Sequence, residues 1–523
     1  MENSEHTQTI PATRRERLSW YLYDFANTSF TVLIVTALFP LLFEELAELY
    51  FMDDYITGQA LWGFAGSVTM AIVALMSPIL GAIADYTGSK KRFLVFFTLL
   101  CVFFNAMLFF TSLDTPIVLG MPIWLWAWVF FIIANVGFEG ALPFYDAWLP
   151  EISDETTIGK ISGFGYAAGY LGAMFTIIIA LVSVLALGTY STVPYLLGAV
   201  FFLVFAIPAI MGLKDRPPHR FTEEIDPSGK LYAAGFFGLA ITIAIVLATG
   251  FTLGILSYLF GIVFFVTWMI LANIILGSRR SIESRPSEKP NIVLIGFSRI
   301  ARTIREIRSY QGVPLFMVAY FLFSDAISTV IAYAAIFGRA VYGFEPEMIL
   351  IFFAVTQLAA IPGAFIFGYI ADHIGTKRTL MITLVLWIFA LFIAFIGEGA
   401  IIWWSVGMMA GVGMGSAQST ARSMYGQFMP EETKAEMFGL LAFTGRFAAI
   451  LGPFVYGVVI LYSGSLGLGT ELANRYALLS VLFFFVLALI ILLKVQQPVK
   501  GKSKVGAEVF LALDDDFVIS DLE

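Results

Sequence analysis

A small set of polar and charged residues stands inside otherwise apolar stretches, and their types suit binding and proton handling. Asp24 is followed one turn later by Asn27 and Thr28, which share its helix face at i+3 and i+4. Glu139 and Asp146 are seven residues apart, which places them on one face of a helix. Asp325, Gln357, Gln418, Arg422 and Arg446 complete the set. A carboxylate in an apolar setting can carry a proton or bind an ammonium group. A buried guanidinium suits a bidentate carboxylate or phosphate. Each residue also has a purely structural alternative: a bond at a helix interface, or for Arg422 and Arg446 a charge pair with Asp24, Asp146 or Asp325. Asp146 lies near the end of its stretch, where a neighbouring charge could be its whole purpose.

Bond-breaking chemistry is not expected. The three histidines, His6, His219 and His373, fall in tails or loops, so a buried histidine relay is not expected. The single Cys101 sits in an apolar run and reads as packing. No catalytic cluster, metal set, cofactor motif or Gly-x-x-x-x-Gly-Lys-Ser/Thr phosphate loop is visible. The chain reads as a non-enzyme without metal or cofactor and without a nucleic-acid partner.

The elements that must position these residues follow from composition. Of 523 residues, 59% are hydrophobic and only 13% charged, against about 25% charged in an ordinary soluble domain. Such a surface needs lipid to cover it. About fourteen apolar segments reach the roughly 20 residues that a helix needs to cross a bilayer. Lipid leaves no backbone group a partner outside its own segment, so continuous runs of this length must be helices. The first apolar stretch has no small-residue cleavage site behind it and is expected to be a retained helix. Most of the aromatic richness, 52 Phe and 21 Tyr, is expected to face lipid and its interfaces.

Sidedness follows from the loops. Arg14, Arg15 and Arg17, Lys90 to Arg92, Lys214 to Arg220, Arg279 and Arg280, Lys377 and Arg378, and Lys434 all fall on one set of connections. The alternate set holds Arg339, Arg475 at a boundary, and the acids Glu44, Glu45, Glu48, Asp53 and Asp54. The basic set and both termini are expected in the cytoplasm.

The sequence repeats itself. Gly81-Ala-Ile-Ala-Asp85-Tyr-Thr-Gly88-Ser-Lys90-Lys91-Arg92 closes the second span, and Gly368-Tyr-Ile-Ala-Asp372-His-Ile-Gly375-Thr-Lys377-Arg378 closes its counterpart. Phe144-Tyr145-Asp146 and Leu149-Pro150-Glu151 are echoed by Met424-Tyr425-Gly426 and Met429-Pro430-Glu431. Tyr23-Asp24 with Asn27-Thr28-Ser29 is matched by Ser324-Asp325 with Ser328-Thr329. The expected organisation is a cytoplasmic tail (1–17), a six-helix bundle (18–212), and linkers with an extra transmembrane hairpin (213–296, hairpin 231–277). An amphipathic surface helix (297–312), a second six-helix bundle (313–495) and an acidic cytoplasmic tail (496–523) follow.

The doubled Gly-x-x-x-Asp-x-x-Gly-x-Lys/Arg loop resembles the loop signature of the major facilitator superfamily. Trp20-Tyr-Leu-Tyr23-Asp24-Phe25-Ala26-Asn27-Thr28-Ser29-Phe30, Leu149-Pro150-Glu151-Ile152, Phe321-Leu-Phe-Ser-Asp325 and Ser423-Met-Tyr425 resemble motifs of its vacuole effluxer-like branch. Yeast members of that branch are associated with amino-acid release from the vacuole. The resemblance implies an all-α polytopic membrane protein with the major facilitator fold, two pseudo-symmetric six-helix bundles and, here, a central two-helix insert. It implies that Gly81, Asp85, Gly88, Lys90, Arg92, Gly368, Asp372, Gly375, Lys377 and Arg378 form a conformational latch, with the glycines allowing close helix approach.

The resulting expectation is a secondary active transporter of a small polar metabolite, an amino acid or similar zwitterion or organic anion. It would be proton-coupled, work by alternating access, and act as a monomer in a bacterial inner membrane. The extra hairpin is similar to that of fourteen-span drug exporters, so a multidrug/proton antiporter is the alternative.

Overall fold

The computed structural model describes residues 13–52, 55–87, 89–153, 158–215, 310, 312–428, 440–441 and 444–496. The first half contains α1 (Arg14–Phe30), a π-helical continuation (Thr31–Ala37), α2 (Phe39–Phe51), α3 (Ile56–Thr87) and α4 (Lys90–Met107). It continues with α5 (Ile123–Asp146), the short α6 (Leu149–Ile152), α7 (Ile158–Leu187) and α8 (Val193–Gly212). The second half contains α9 (Val313–Tyr342), α10 (Pro346–Ile374), α11 (Thr376–Ile396), α12 (Ala400–Phe428), α13 (Leu451–Ser465) and α14 (Thr470–Lys494). A small hairpin, β1 (Ile117–Val118) with β2 (Met121–Pro122), precedes α5.

Among the described residues, 11 helices are long and apolar enough to cross a membrane, or up to 12 if the bent pair Arg14–Ala37 and Phe39–Phe51 is one span. The larger number read from the sequence counted the hairpin at 231–277, which lies outside the described residues. Most of the surface segment 297–312 and the acidic tail from 497 onward lie outside them too. Phe96, Phe175, Phe365 and Phe483 are each more than half exposed. Large apolar side chains standing outward over whole helices fit a lipid surface and would be ruinous in water.

The two halves use the same pairings. In the first, α1 packs on α7 and α8, α4 on α5 and α8, and α3 on α5. In the second, α9 packs on α13 and α14, α11 on α12 and α14, and α10 on α12. The contacts between halves follow the same symmetry, α3 against α13 and α7 against α10. Small residues make this closeness possible, because apolar attraction between helices is weak in lipid. A Cβ on Gly137 of α5 would stand 2.8 Å from the Phe97 carbonyl oxygen of α4. A Cβ on Gly411 of α12 would stand 3.0 Å from the Ala359 side chain of α10.

Gly81 and Gly368 depart from the expectation of close helix approach. A Cβ added to either would meet nothing within 4 Å. They lie in the last two turns of α3 and α10 on a side without a close neighbour, while Ala84 and Ala371, three residues on, are buried. Gly375 is a backbone requirement instead, with φ at +92°. Asp372 is exposed. Gly88 and the side chain of Asp85 lie outside the described residues.

Candidate functional site

Of the expected site residues, Asp24, Glu139 and Asp146 of the first half and Arg422 and Arg446 of the second act on one another across the boundary between the halves. Packing fixes Asp24 there. On α1, the Trp20 ring stacks on Tyr145 of α5 at 4.6 Å, and its Nε1 donates to the Tyr145 carbonyl at 3.0 Å. The Tyr23 hydroxyl shares a 2.8 Å hydrogen bond with Thr98 of α4. These contacts consume one face of α1 and turn Asp24 the other way, beneath α7. Gly165 and Gly169 of α7 leave room for its carboxylate; a Cβ on Gly169 would lie 3.6 Å from it.

Asn27 hydrogen-bonds the Asp24 carboxyl group, and Asp146 and Arg422 are the charges that act on it. Arg446 and Asp146 are the charges that act on Glu139. Arg446 forms an ion pair with Asp146 across the gap between halves. Thr28 donates to the Phe25 carbonyl within its own helix at 3.0 Å, so its hydroxyl hydrogen is already used. Arg422 and Gln418 are exposed, and Arg422 acts on Asp24 across the gap between the halves. Asp146 is 47% exposed in the same space. Gln357 of α10 is partly buried, with Oε1 unpartnered among the described residues.

Two residues join this wall without having been picked out from the sequence. Tyr170 of α7 faces Arg422 and Asp24. Tyr320 of α9 hydrogen-bonds Ser324 and faces Arg422 and Arg446. Their signal in the sequence was slight, because tyrosine is common here and most of it packs or faces lipid.

This arrangement of helices and intramembrane charges can be set against known proteins. Residues 12–232 and 227–505 match the family described as vacuole effluxer Atg22 like. The chain belongs to that family. An MFS-type transporter of Bacillus subtilis (strain 168), YxiO, itself described as uncharacterized, is 27% identical over 480 residues, 92% of this chain and 94% of the relative. Autophagy-related protein 22-1 of Penicillium rubens is 23% identical over 368 residues, covering 67% of this chain and 51% of the fungal protein. The chain thus spans about half the length of that fungal relative. A solved D-xylose–proton symporter superposes with a TM-score of 0.58 at 12% identity, covering 94% of this chain and 98% of the symporter. At that identity the likeness concerns the fold, which is that of major facilitator transporters.

In this effluxer-family chain, Asp325 stands apart from the other site candidates. It is wholly buried inside the second half, with Oδ1 accepting from the Gly452 N–H at 2.7 Å. It pairs with neither arginine. Of the charge-pair alternatives for Arg446, the structure forms the one with Asp146.

The far end of the cavity is closed by residues that the sequence offered only as loop charges. Arg339 of α9 pairs with Glu45 of α2, and its Nη1 lies 3.9 Å from Glu44. The guanidinium lies over the Tyr55 ring at 5.0 Å and the Tyr190 ring at 5.8 Å. Tyr190 donates to Glu45 at 2.7 Å. Burial first and the Glu45 carboxylate second raise the Tyr190 phenol above its ordinary value, so it stays a donor. Glu44 accepts from Gln59 at 2.6 Å, and Gln59 accepts from Asn474 of α14 at 2.7 Å. Trp62 Nε1 donates to the Ala332 carbonyl at 2.9 Å, and the Tyr333 hydroxyl to the Gln59 carbonyl at 3.0 Å. The pairing was latent in the sequence as an arginine standing on a side otherwise rich in acids.

The described residues of the repeated loop bond differently in the two halves. Lys90 pairs with Glu151 at 2.7 Å, and the Lys91 N–H donates to Asp215 at 2.9 Å. Lys377 instead donates to the Leu493 and Val495 carbonyls at 2.9 and 2.6 Å, capping the end of α14. Arg92 and Arg378 flank these contacts at the same end.

Proposed function

We propose that this family member is a secondary active transporter of a small zwitterion, an amino acid or a molecule of similar charge pattern. The observation that carries this reading is the segregation of charge across the cavity. Asp24, Glu139 and Asp146 stand on the first half, and Arg422 and Arg446 on the second. A molecule with an ammonium at one end and a carboxylate at the other fits between them and contacts both halves at once. Such a ligand favours the conformation in which the halves approach, as a coupled rocking cycle requires. Tyr170 and Tyr320 supply hydroxyls beside the carboxylate position.

Sidedness follows the same proposal. The basic end is the cytoplasmic face of a bacterial inner membrane, with both termini there. The state described is then sealed outside by the Arg339 cluster and accessible from the cytoplasm. Asp24, beside the ligand site, is the group proposed to carry the coupling proton; the working unit is one chain.

The test is a thermal-stability screen of the purified protein with amino acids, dipeptides, nucleotides, sugars, organic acids and lipophilic cations. A ligand that binds the folded state raises its stability by mass action. The expected result is a shift with one zwitterionic class, lost in Arg422→Ala and in Asp24→Asn. Shifts with several lipophilic cations, indifferent to Arg422→Ala, would instead identify a multidrug/proton antiporter.

A further inference from the structure

The helix that becomes α13 is interrupted. Thr444–Ala448 is helical, Ala449 and Ile450 form a turn, and helix resumes at Leu451. Pro453 supplies the chemical reason. It has no N–H to give the Ala449 carbonyl, and its ring crowds that carbonyl. A helix that restarts exposes the N–H groups of its first turn. One of these, on Gly452, donates to Asp325 Oδ1 at 2.7 Å. A Cβ at position 452 would fall 2.0 Å from Thr329 Oγ1 and 2.8 Å from that same Asp325 oxygen, so the close approach of the two helices at the cap requires glycine.

The turn is gripped from the other half as well. Ser67 Oγ of α3 donates to the Ile450 carbonyl at 2.9 Å. Asp325 itself is wholly buried, and its Oδ2 has no hydrogen-bond partner among the described residues. Its carboxyl group is therefore committed to the interruption and not to the cavity. On the cavity side of the interruption lies Arg446, which bridges to Asp146.

We propose that Asp325 is a positioning residue: by capping the restart of this helix it fixes the pose of Thr444–Ala448 and so holds Arg446 against Asp146 and Glu139. The consequence for transport rests on the cavity being the substrate site. The cap itself is testable without any ligand.

The experiment uses the full chain in lipid nanodiscs. Hydrogen exchange is followed over 449–456, with α14 as internal control for global loosening. Spin-label distances are measured between Thr444→Cys and the outward-facing Phe96→Cys, with buried Cys101 replaced by Ala. Asp325→Ala is expected to speed exchange over 449–456 about tenfold, the loss of one hydrogen bond to a carboxyl group, and to broaden the distance distribution. Asp325→Asn keeps an acceptor at the same place and is expected to match the parent in both readouts. If Asp325→Ala does not yield folded protein, Gly452→Ala in a Thr329→Ala background, which removes the hydroxyl that its Cβ would meet first, displaces the acceptor from the other side and is expected to give the same local loosening relative to Thr329→Ala alone. Parent-like exchange in Asp325→Ala, or exchange like that of Thr329→Ala in the double variant when it stands in, would overturn the proposal. So would an Asp325→Asn variant that loosens as much as the alanine. Arg422→Ala is expected to leave exchange over 449–456 unchanged, so a failed cavity reading and a failed cap are told apart.

Discussion

Asp24 and Asp325 occupy matching places in the two halves, each on the first long helix and each followed four residues on by a threonine. Their surroundings have diverged. Asp24 lies under α7, whose glycines leave a slot beside its carboxylate, and it looks across the cavity to Arg422. Asp325 lies under a helix broken by Pro453, and the break presents a backbone N–H to it. A continuous neighbouring helix has no free donor in its middle, so Asp24 must find its partners in side chains and ligand. A broken one has a donor to offer, and it captures Asp325. In the two proposals made above, matching positions serve as a binding group in one half and as a structural cap in the other.

The largest expected effect tests this contrast directly. Arg422→Ala and Asp24→Asn are expected to weaken zwitterion binding about 100-fold, each by loss of a charge-assisted hydrogen bond. Asp325→Asn is expected to leave the affinity within about twofold, since its acceptor survives. Calorimetric titration of the three variants checks this; equal losses at Asp24 and Asp325 would erase the distinction between the halves.

The next effect concerns the two ends of the cavity. Arg339→Ala leaves Glu44 and Glu45 without their cation at the sealed end, a cost of about 3 kcal/mol or more to the sealed state. Spin labels at Leu49→Cys and Leu472→Cys should then report a longer separation. An unchanged separation would mean that apolar packing alone holds this end shut.

A smaller effect is expected from Asn474→Leu, which strips Gln59 Oε1 of its donor at the same end. A loss of about 1–2 kcal/mol should appear as a lower unfolding temperature, with ligand affinity retained. Smallest of all is Lys90→Gln, whose ion pair with Glu151 is partly solvated and worth under about 1 kcal/mol. Lys377→Gln should cost more than Lys90→Gln in the same thermal assay, because it strands two carbonyls at the end of α14. The reverse order would show that the loop lysines act alike despite their different partners.

Much of this molecule was legible in its residues. Helical spans follow from the length of the apolar runs, because lipid leaves the backbone no alternative. The repeat of Asp85 in Asp372 and of Asp24 in Asp325 announces two related halves. Charges inside the spans mark residues with a partner to meet, because a charge in lipid is too costly to keep without a use. The Arg446–Asp146 pair spans 300 residues of sequence and the Arg339–Glu45 pair 294. No local pattern encodes either, since each needs two halves docked at one angle. The same holds for the fate of Asp325. Its type and spacing are those of a cavity residue, and only the placement of Gly452 on a neighbouring broken helix turned it inward. Local chemistry determined what these helices are and which residues are costly to bury; helix packing decided which of those residues meet, because direction and distance between side chains exist only once the helices are packed.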